Sequence, residues 1–263
     1  MEIDFGKTAS DYARYRAGYP AEFFDRLASA GVGIAGQRIL DLGTGTGALA
    51  RGMARRGAIV TGIDPSAALL DEARALDKAA GVEVRYLCGV AEATGLDGGG
   101  FDAVTASQCW HWFDRPRAAA EARRLLALRG RLAITYIDWI ARPGSLALAT
   151  EELILAHNPR WSELRRAGSE AYPEGPEWPE WIGDLRAAGF TAPVPFALEV
   201  EVPYTHESWR GRIRASAGVG ASLPPDEVKR FDEALGELLA RRFPTDPQPV
   251  AHRTFALVAE CGR

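Results

Sequence analysis

The run Arg38-Ile39-Leu40-Asp41-Leu42-Gly43-Thr44-Gly45-Thr46-Gly47-Ala48-Leu49-Ala50 decides the fold. Its first five residues read as a buried strand; glycines at alternate positions follow, and then a helix through Met53. Strand, glycine turn and helix in that order open a βαβ unit. Outward from it, Ala58–Ile63 is a second β-branched run, and the next helix carries Leu69, Leu70, Ala73 and Leu76 on one stripe. Val82–Leu87 alternates as a third strand, and Phe101–Ala106 makes a fourth. Arg131–Tyr136 is a fifth, after a helix over Arg117–Leu128. Strands alternating with helices imply a parallel sheet covered on both faces.

After Tyr136 the pattern loosens. Pro143, Pro159, Pro173, Pro176 and Pro179 interrupt residues 142–180, which read as helical pieces and loops. Trp181–Ala188 is a short helix stopped by Gly189. Phe196–Val202 then alternates as a strand, helices follow near His206–Ala217 and around Val228–Leu239, and Phe255–Ala259 closes as a strand. The expected architecture is α/β: a doubly wound, mostly parallel, seven-stranded Rossmann-like sheet with a helical cap and an inserted helical lid. We expect a single domain over residues 1–263, with the cap over 1–30 and variable helical segments over 142–190 and 203–245.

Composition narrows the function classes. With 263 residues, 47% hydrophobic and 25% charged, the chain is an ordinary globular protein. The net charge of −4 and scattered Arg pairs give no concentrated basic surface, so no nucleic-acid partner is expected. No long apolar run suggests a membrane span, and Met1-Glu2-Ile3-Asp4-Phe5 does not start a secretory signal, so a cytoplasmic location is expected. Cys88, Cys109 and Cys261 are far apart, which argues against a disulfide framework and a Cys-based zinc site; no metal is expected.

Glycines between a strand and a helix let a ligand approach the backbone, and the helix start offers unpaired N–H groups. Gly43-x-Gly45-x-x-Ala48 alone could be a dinucleotide fingerprint. Asp41 argues otherwise: a carboxylate two residues before the first glycine suits an ammonium group and repels a pyrophosphate. Asp64 ends the second strand, where a carboxylate can accept two hydrogen bonds from a ribose diol.

Asp41-x-Gly43-x-Gly45-x-Gly47 together with Asp64 resembles the class I S-adenosylmethionine (SAM)-dependent methyltransferases. The stretches Tyr12-Ala13-Arg14-Tyr15-Arg16-Ala17-Gly18-Tyr19-Pro20 and Cys109-Trp110-His111-Trp112-Phe113-Asp114 are similar to the small-molecule group of trans-aconitate methyltransferase-like (methyltransferase type 11) enzymes. The resemblance implies that Asp41, Gly43, Thr44, Gly45 and Gly47 hold the methionine part of SAM, and that Asp64 binds the ribose. Pro65, Ala91 and Glu92 would lie by the adenine, Gln108 near the methionyl group, and Tyr12 and Arg16 in a cap over the cofactor. S-adenosylhomocysteine would be the product. Residues 140–263 match only loosely, and acceptor specificity is expected there.

Methyl transfer from a sulfonium is an in-line displacement, so orientation and exclusion of water are the main requirements. His111, just past the fourth strand, is the candidate catalytic group, as a general base or an acceptor-orienting side chain. Tyr19, Trp110, Tyr136 and Trp139 are the candidate acceptor-binding residues. Arg210 and Arg214, an i, i+4 pair, could clamp an acidic acceptor or simply decorate a solvated face, while Arg212 points elsewhere. The absence of an Asn/Asp-Pro-Pro-Tyr/Phe run after strand four weakens a nucleobase acceptor. The expected activity is methylation of a small molecule, at oxygen first, by a monomer or homodimer. A non-transfer reaction such as cyclisation in the same pocket, or a SAM-binding regulator, is the alternative.

Overall fold

The computed structural model describes Asp11, Arg14, Tyr15, residues 18–162 and residues 179–262. Strands run β1 Arg38–Leu42, β2 Ile59–Asp64, β3 Arg85–Cys88, β4 Phe101–Ser107, β5 Leu126–Trp139, β6 Val194–Tyr204 and β7 Gln248–Glu260. Helices are α1 Ala21–Ser29, α2 Ala48–Ala54, α3 Ala67–Ala80, α4 Arg115–Leu125, α5 Leu146–His157, α6 Pro179–Ala187, α7 His206–Arg214 and α8 Pro225–Arg242. The seven strands form one mostly parallel sheet in the order β3-β2-β1-β4-β5-β7-β6. The pairs β1–β2, β2–β3, β1–β4 and β4–β5 are parallel.

Element boundaries follow local chemistry. Ser66 caps α3 by accepting the Leu69 N–H, and Ser145 caps α5 by accepting the Leu148 N–H. At the far end of α3 the Gly81 and Val82 N–H groups return to the Lys78 and Asp77 carbonyls, with Gly81 at φ +67. That closure occupies Val82, so β3 starts at Arg85, later than the alternating pattern from Val82 suggests. The helix expected through Leu128 stops at Leu125 instead. Leu126 already pairs with Phe101 as strand, leaving Leu128 exposed.

The chain divides into two compact units, each with its own core. The first comprises Gly18–Ile137, Tyr172–Leu198 and Thr254–Arg263. Alternation along its strands splits the apolar residues between two faces. Leu40, Leu42, Val104, Ala106 and Ile134 pack with α4, and Ile39, Ala103 and Ala133 pack with Phe23 and Leu27 of α1 and Met53 of α2. The second unit comprises Met1–Ala17, Asp138–Ala171 and Glu199–Arg253. Its core joins Leu146 and Ile154 of α5, Trp209 and Ile213 of α7, and Phe231, Leu235 and Leu239 of α8. We refer to them as the sheet unit and the helical unit.

Candidate functional site

Strand order reverses between β1 and β4: β2 and β3 extend the sheet on one side, β4 and β5 on the other. The carboxyl ends of β1 and β4 thus lie at the switch point of the strand order, the usual ligand position in such sheets. The glycine loop follows β1, and residues 108–114 follow β4.

Left-handed backbone shapes the loop. Gly43 has φ +59, and a Cβ there would lie 2.8 Å from Cys109 Sγ and 3.1 Å from the Phe113 ring. The loop after β4 is thus packed directly on the loop after β1. Gly45 has φ +55 but faces open space, with nothing within 4 Å of a built Cβ. Glycine is required at the first position for packing and conformation, and at the second for conformation and for a clear approach to the backbone.

Asp41 lies beneath this loop, fully buried. Its Oδ2 accepts the Thr44 hydroxyl at 2.7 Å and its Oδ1 the Thr105 hydroxyl at 2.6 Å. Burial pushes the carboxyl up to about 6, partly offset by those two hydrogen bonds and reinforced by the negative charge of Asp64. Asp64 accepts the Gly45 N–H on Oδ2 and the Ser66 N–H on Oδ1, both at 2.9 Å. Burial raises its pKa too. One carboxylate therefore fixes the loop from below, and the other fixes its tip to the end of β2. Behind the loop, Arg51 donates to the Thr46 carbonyl and to Asp77, which also accepts the Tyr86 hydroxyl at 2.7 Å.

Thr105, Arg51, Asp77 and Tyr86 were not identified as site residues from the sequence. Thr105 has a structural signal: the parallel register sets it opposite Asp41. The other three become neighbours only when α2, α3 and β3 pack together.

Pro65, Ala91 and Glu92, and Gln108 follow the carboxyl ends of β2, β3 and β4 respectively. The Pro65 carbonyl accepts from Cys88 Sγ at 3.6 Å, and Ala91 is buried after β3. Glu92 Oε1 accepts the Asp114 N–H at 2.9 Å, holding the start of α4. Gln108 adopts φ +61; its N–H bonds the Thr135 carbonyl, and its side-chain amide donates to the Ile137 carbonyl at 2.7 Å. Tyr12 and Arg16 lie outside the described residues.

The candidate acceptor residues separate. Trp110 is completely buried in the sheet-unit core, edge-on to Phe113. A three-residue 3₁₀ turn, Trp110–Trp112, turns it inward and leaves Trp112 about half exposed. Tyr19 stacks on Phe23 at 4.3 Å, and its hydroxyl bonds Ser107 and Thr135, each at 3.0 Å, at the carboxyl ends of β4 and β5. His111 Nδ1 lies 2.8 Å from the Tyr136 hydroxyl, and Tyr136 is buried with its ring stacked on Trp181.

Trp139 belongs to the helical unit. Its indole N–H donates to Glu151 Oε1 at 2.8 Å, its ring meets Trp209 edge-on, and the Arg212 guanidinium lies 4.7 Å above it. Glu151 Oε2 accepts a second indole N–H, from Trp161. Arg210 and Arg214 are engaged with Asp232, and Arg214 also reaches Asp11 and Glu207. The buried arginine of that helix is Arg212.

Among the described residues no helix is long and apolar enough to cross a membrane, and no cluster of three metal-ligating side chains occurs.

Residues 40–134 match the family described as a methyltransferase domain. An uncharacterised methyltransferase of Mycobacterium tuberculosis is 37% identical over 152 residues, 56% of this chain and 59% of that protein. The matched stretch thus spans less than two thirds of the mycobacterial relative. A ubiquinone biosynthesis O-methyltransferase of Xanthomonas oryzae pv. oryzae is 31% identical over 191 residues, 72% of this chain and 74% of that protein. Among solved structures, the [4+2]-cyclase SpnF superposes with a TM-score of 0.54 at 22% identity, covering 94% of this chain and 84% of that one. That likeness is one of fold, and the fold carries more than one chemistry. From the glycine loop, the strand order and the Xanthomonas relative together, the chain belongs to the class I S-adenosylmethionine-dependent methyltransferase family.

Proposed function

We propose that this protein transfers a methyl group from SAM to an oxygen of a small-molecule acceptor. The observation that carries this is the glycine loop at the switch point of the strand order, where an open backbone at Gly45 lies between two buried carboxylates, Asp41 and Asp64. These residues fit the cofactor. Gly45 leaves the loop backbone approachable, and each Asp64 oxygen keeps a second lone pair for a ribose hydroxyl beside the N–H it already accepts. The buried charge of Asp41 favours the methionine ammonium, while Pro65, Ala91 and Glu92 are assigned to the adenine side.

When bound, SAM supplies a methyl carbon on a positively charged sulfur. The chain's own contribution is alignment and the exclusion of water. Gln108 holds the ends of β4 and β5 together beside the loop, and His111 is the titratable group assigned to the acceptor oxygen. Oxygen is favoured over nitrogen or carbon by the Xanthomonas relative, whose name specifies O-methylation.

Incubation with methyl-labelled SAM and a panel of carboxylic acids, phenols and alcohols tests the assignment. Label on an acceptor oxygen, with S-adenosylhomocysteine formed in equal amount, is the expected result. Tight cofactor binding with no methyl consumed across acceptors would move the protein to the alternative, a non-transfer use of the same pocket.

A further inference from the structure

We propose that Arg51, Asp77 and Tyr86 are positioning residues, a brace behind the glycine loop that fixes the Thr46–Gly47 peptide. The brace sets the loop in the conformation that receives the cofactor, and Gly47 is glycine because the tyrosine hydroxyl occupies the space of a side chain there. The inference rests on SAM as the ligand of that loop.

Glycine takes either hand of backbone with similar ease, so φ values of +59, +55 and +72 at Gly43, Gly45 and Gly47 do not maintain themselves. The loop depends on hydrogen bonds. At its tip the Gly45 N–H is held by Asp64. Further on, the Thr46–Gly47 peptide is gripped at both ends. The Gly47 N–H donates to the Thr44 carbonyl at 2.9 Å, and the Thr46 carbonyl accepts Arg51 Nη1 at 3.2 Å and Nη2 at 3.1 Å. Turning that peptide breaks all of these bonds together. Arg51 also donates its backbone N–H to the Gly47 carbonyl at 2.8 Å, so one residue of α2 holds two successive loop carbonyls.

The guanidinium is itself aimed. Asp77 of α3, 4% exposed, accepts Arg51 Nη1 on Oδ1 and the Tyr86 hydroxyl on Oδ2, each at 2.7 Å. A buried carboxylate with a donor on each oxygen has a fixed plane, and that plane orients the arginine. Tyr86 of β3 reaches it because two glycines make way. A Cβ built on Gly47 would lie 2.2 Å from the hydroxyl, and one on Gly62 of β2 would lie 2.9 Å from Cδ1. Side chains from α2, α3 and β3 thus converge on one peptide of the loop. A loop ordered before its ligand arrives has no ordering left to do on binding, so loosening the brace costs affinity.

The first test needs no ligand: ¹⁵N relaxation dispersion of the full-length cofactor-free protein, wild type against Tyr86→Phe and Asp77→Asn. Tyr86→Phe leaves the Arg51–Asp77 ion pair in place, and is the variant to rely on if Asp77→Asn does not fold. Microsecond-to-millisecond exchange should appear at Gly47 in the variants and stay absent at Val104 of β4. A variant loop as quiet as the wild type's, or motion that extends equally to Val104, would overturn the proposal. Titration gives the second readout. S-adenosylhomocysteine should bind about threefold more weakly to Tyr86→Phe and about tenfold more weakly to Asp77→Asn. Gly47→Ala should then weaken binding at least about threefold less in the Tyr86→Phe background than in the wild type, because left-handed strain is common to both and the clash with the hydroxyl is not. Equal factors in the two backgrounds would overturn the role of Gly47 in the brace. A folded wild type that binds no S-adenosylhomocysteine would overturn the cofactor assignment instead, and the dispersion spectra would still decide whether the brace holds the loop.

Discussion

Asp41 in the sheet unit and Glu151 in the helical unit are both buried carboxylates, 0% and 3% exposed, yet their surroundings differ in kind. Asp41 is held by the hydroxyls of Thr44 and Thr105, Glu151 by the indole N–H groups of Trp139 and Trp161. A hydroxyl can donate or accept as it rotates; an indole N–H can only donate. The surroundings of Asp41 therefore tolerate either protonation state, as befits a group beneath a ligand loop. Those of Glu151 require an acceptor at both oxygens, which makes it a fastener between the end of β5, α5 and Trp161. The difference separates a carboxylate that responds to its surroundings from one that organises them.

The sharpest way to break this comparison is Glu151→Ala. It strands two part-buried indole donors, and we expect a loss of about 4 kcal/mol in unfolding free energy. S-adenosylhomocysteine affinity should be retained, because the loop and both of its carboxylates lie in the sheet unit. Chemical denaturation paired with cofactor titration checks both halves; a lost affinity in a folded variant would erase the distinction.

Asp41→Asn probes the other side through pH. Because the folded-state value of about 6 lies above the ordinary 3.8, the folded protein holds this proton more tightly than the unfolded chain. Ionised Asp41 therefore costs stability at neutral pH, and the cost is relieved as pH falls from about 6 toward 4. Relative to the Asn variant, the wild type should gain up to about 3 kcal/mol across that window. A constant difference between the two denaturation series would contradict the assignment.

The smallest expected effect compares two glycines. Gly43→Ala meets both left-handed strain and Cys109, for a loss of about 2 kcal/mol, while Gly45→Ala meets strain alone, about 1 kcal/mol. Gly45→Ala should nonetheless weaken the cofactor more per unit of lost stability, since its methyl enters the open side of the loop. Thermal melts and titration on both variants sharpen the division between a packing glycine and a binding one.

The same division explains what was legible. Strand β1, the glycine loop and Asp64 could be read because a parallel βαβ unit writes its ligand site into consecutive residues. The strand-helix alternation gave the sheet for a similar reason: burial on both faces makes continuous apolar runs. The burial of Trp110 could not be read, because a three-residue turn has no periodicity from which an inward side chain can be told from an outward one. Thr105 needed the β1–β4 register, and the Glu151 fastener needed the packing of separate elements, neither of which is a local property. Arg210 and Arg214 showed their helix spacing but not their partner Asp232 on α8.

The most direct test of the central claim, a SAM site at the β1–β4 switch point, is calorimetric titration of S-adenosylhomocysteine into the wild type and Asp64→Asn, with NADH as control. The account predicts saturable binding by the wild type, at least about tenfold weaker binding by the variant through loss of charge-assisted hydrogen bonds, and none for NADH. Absence of binding by the folded wild type, or equal affinity in the variant, would contradict it.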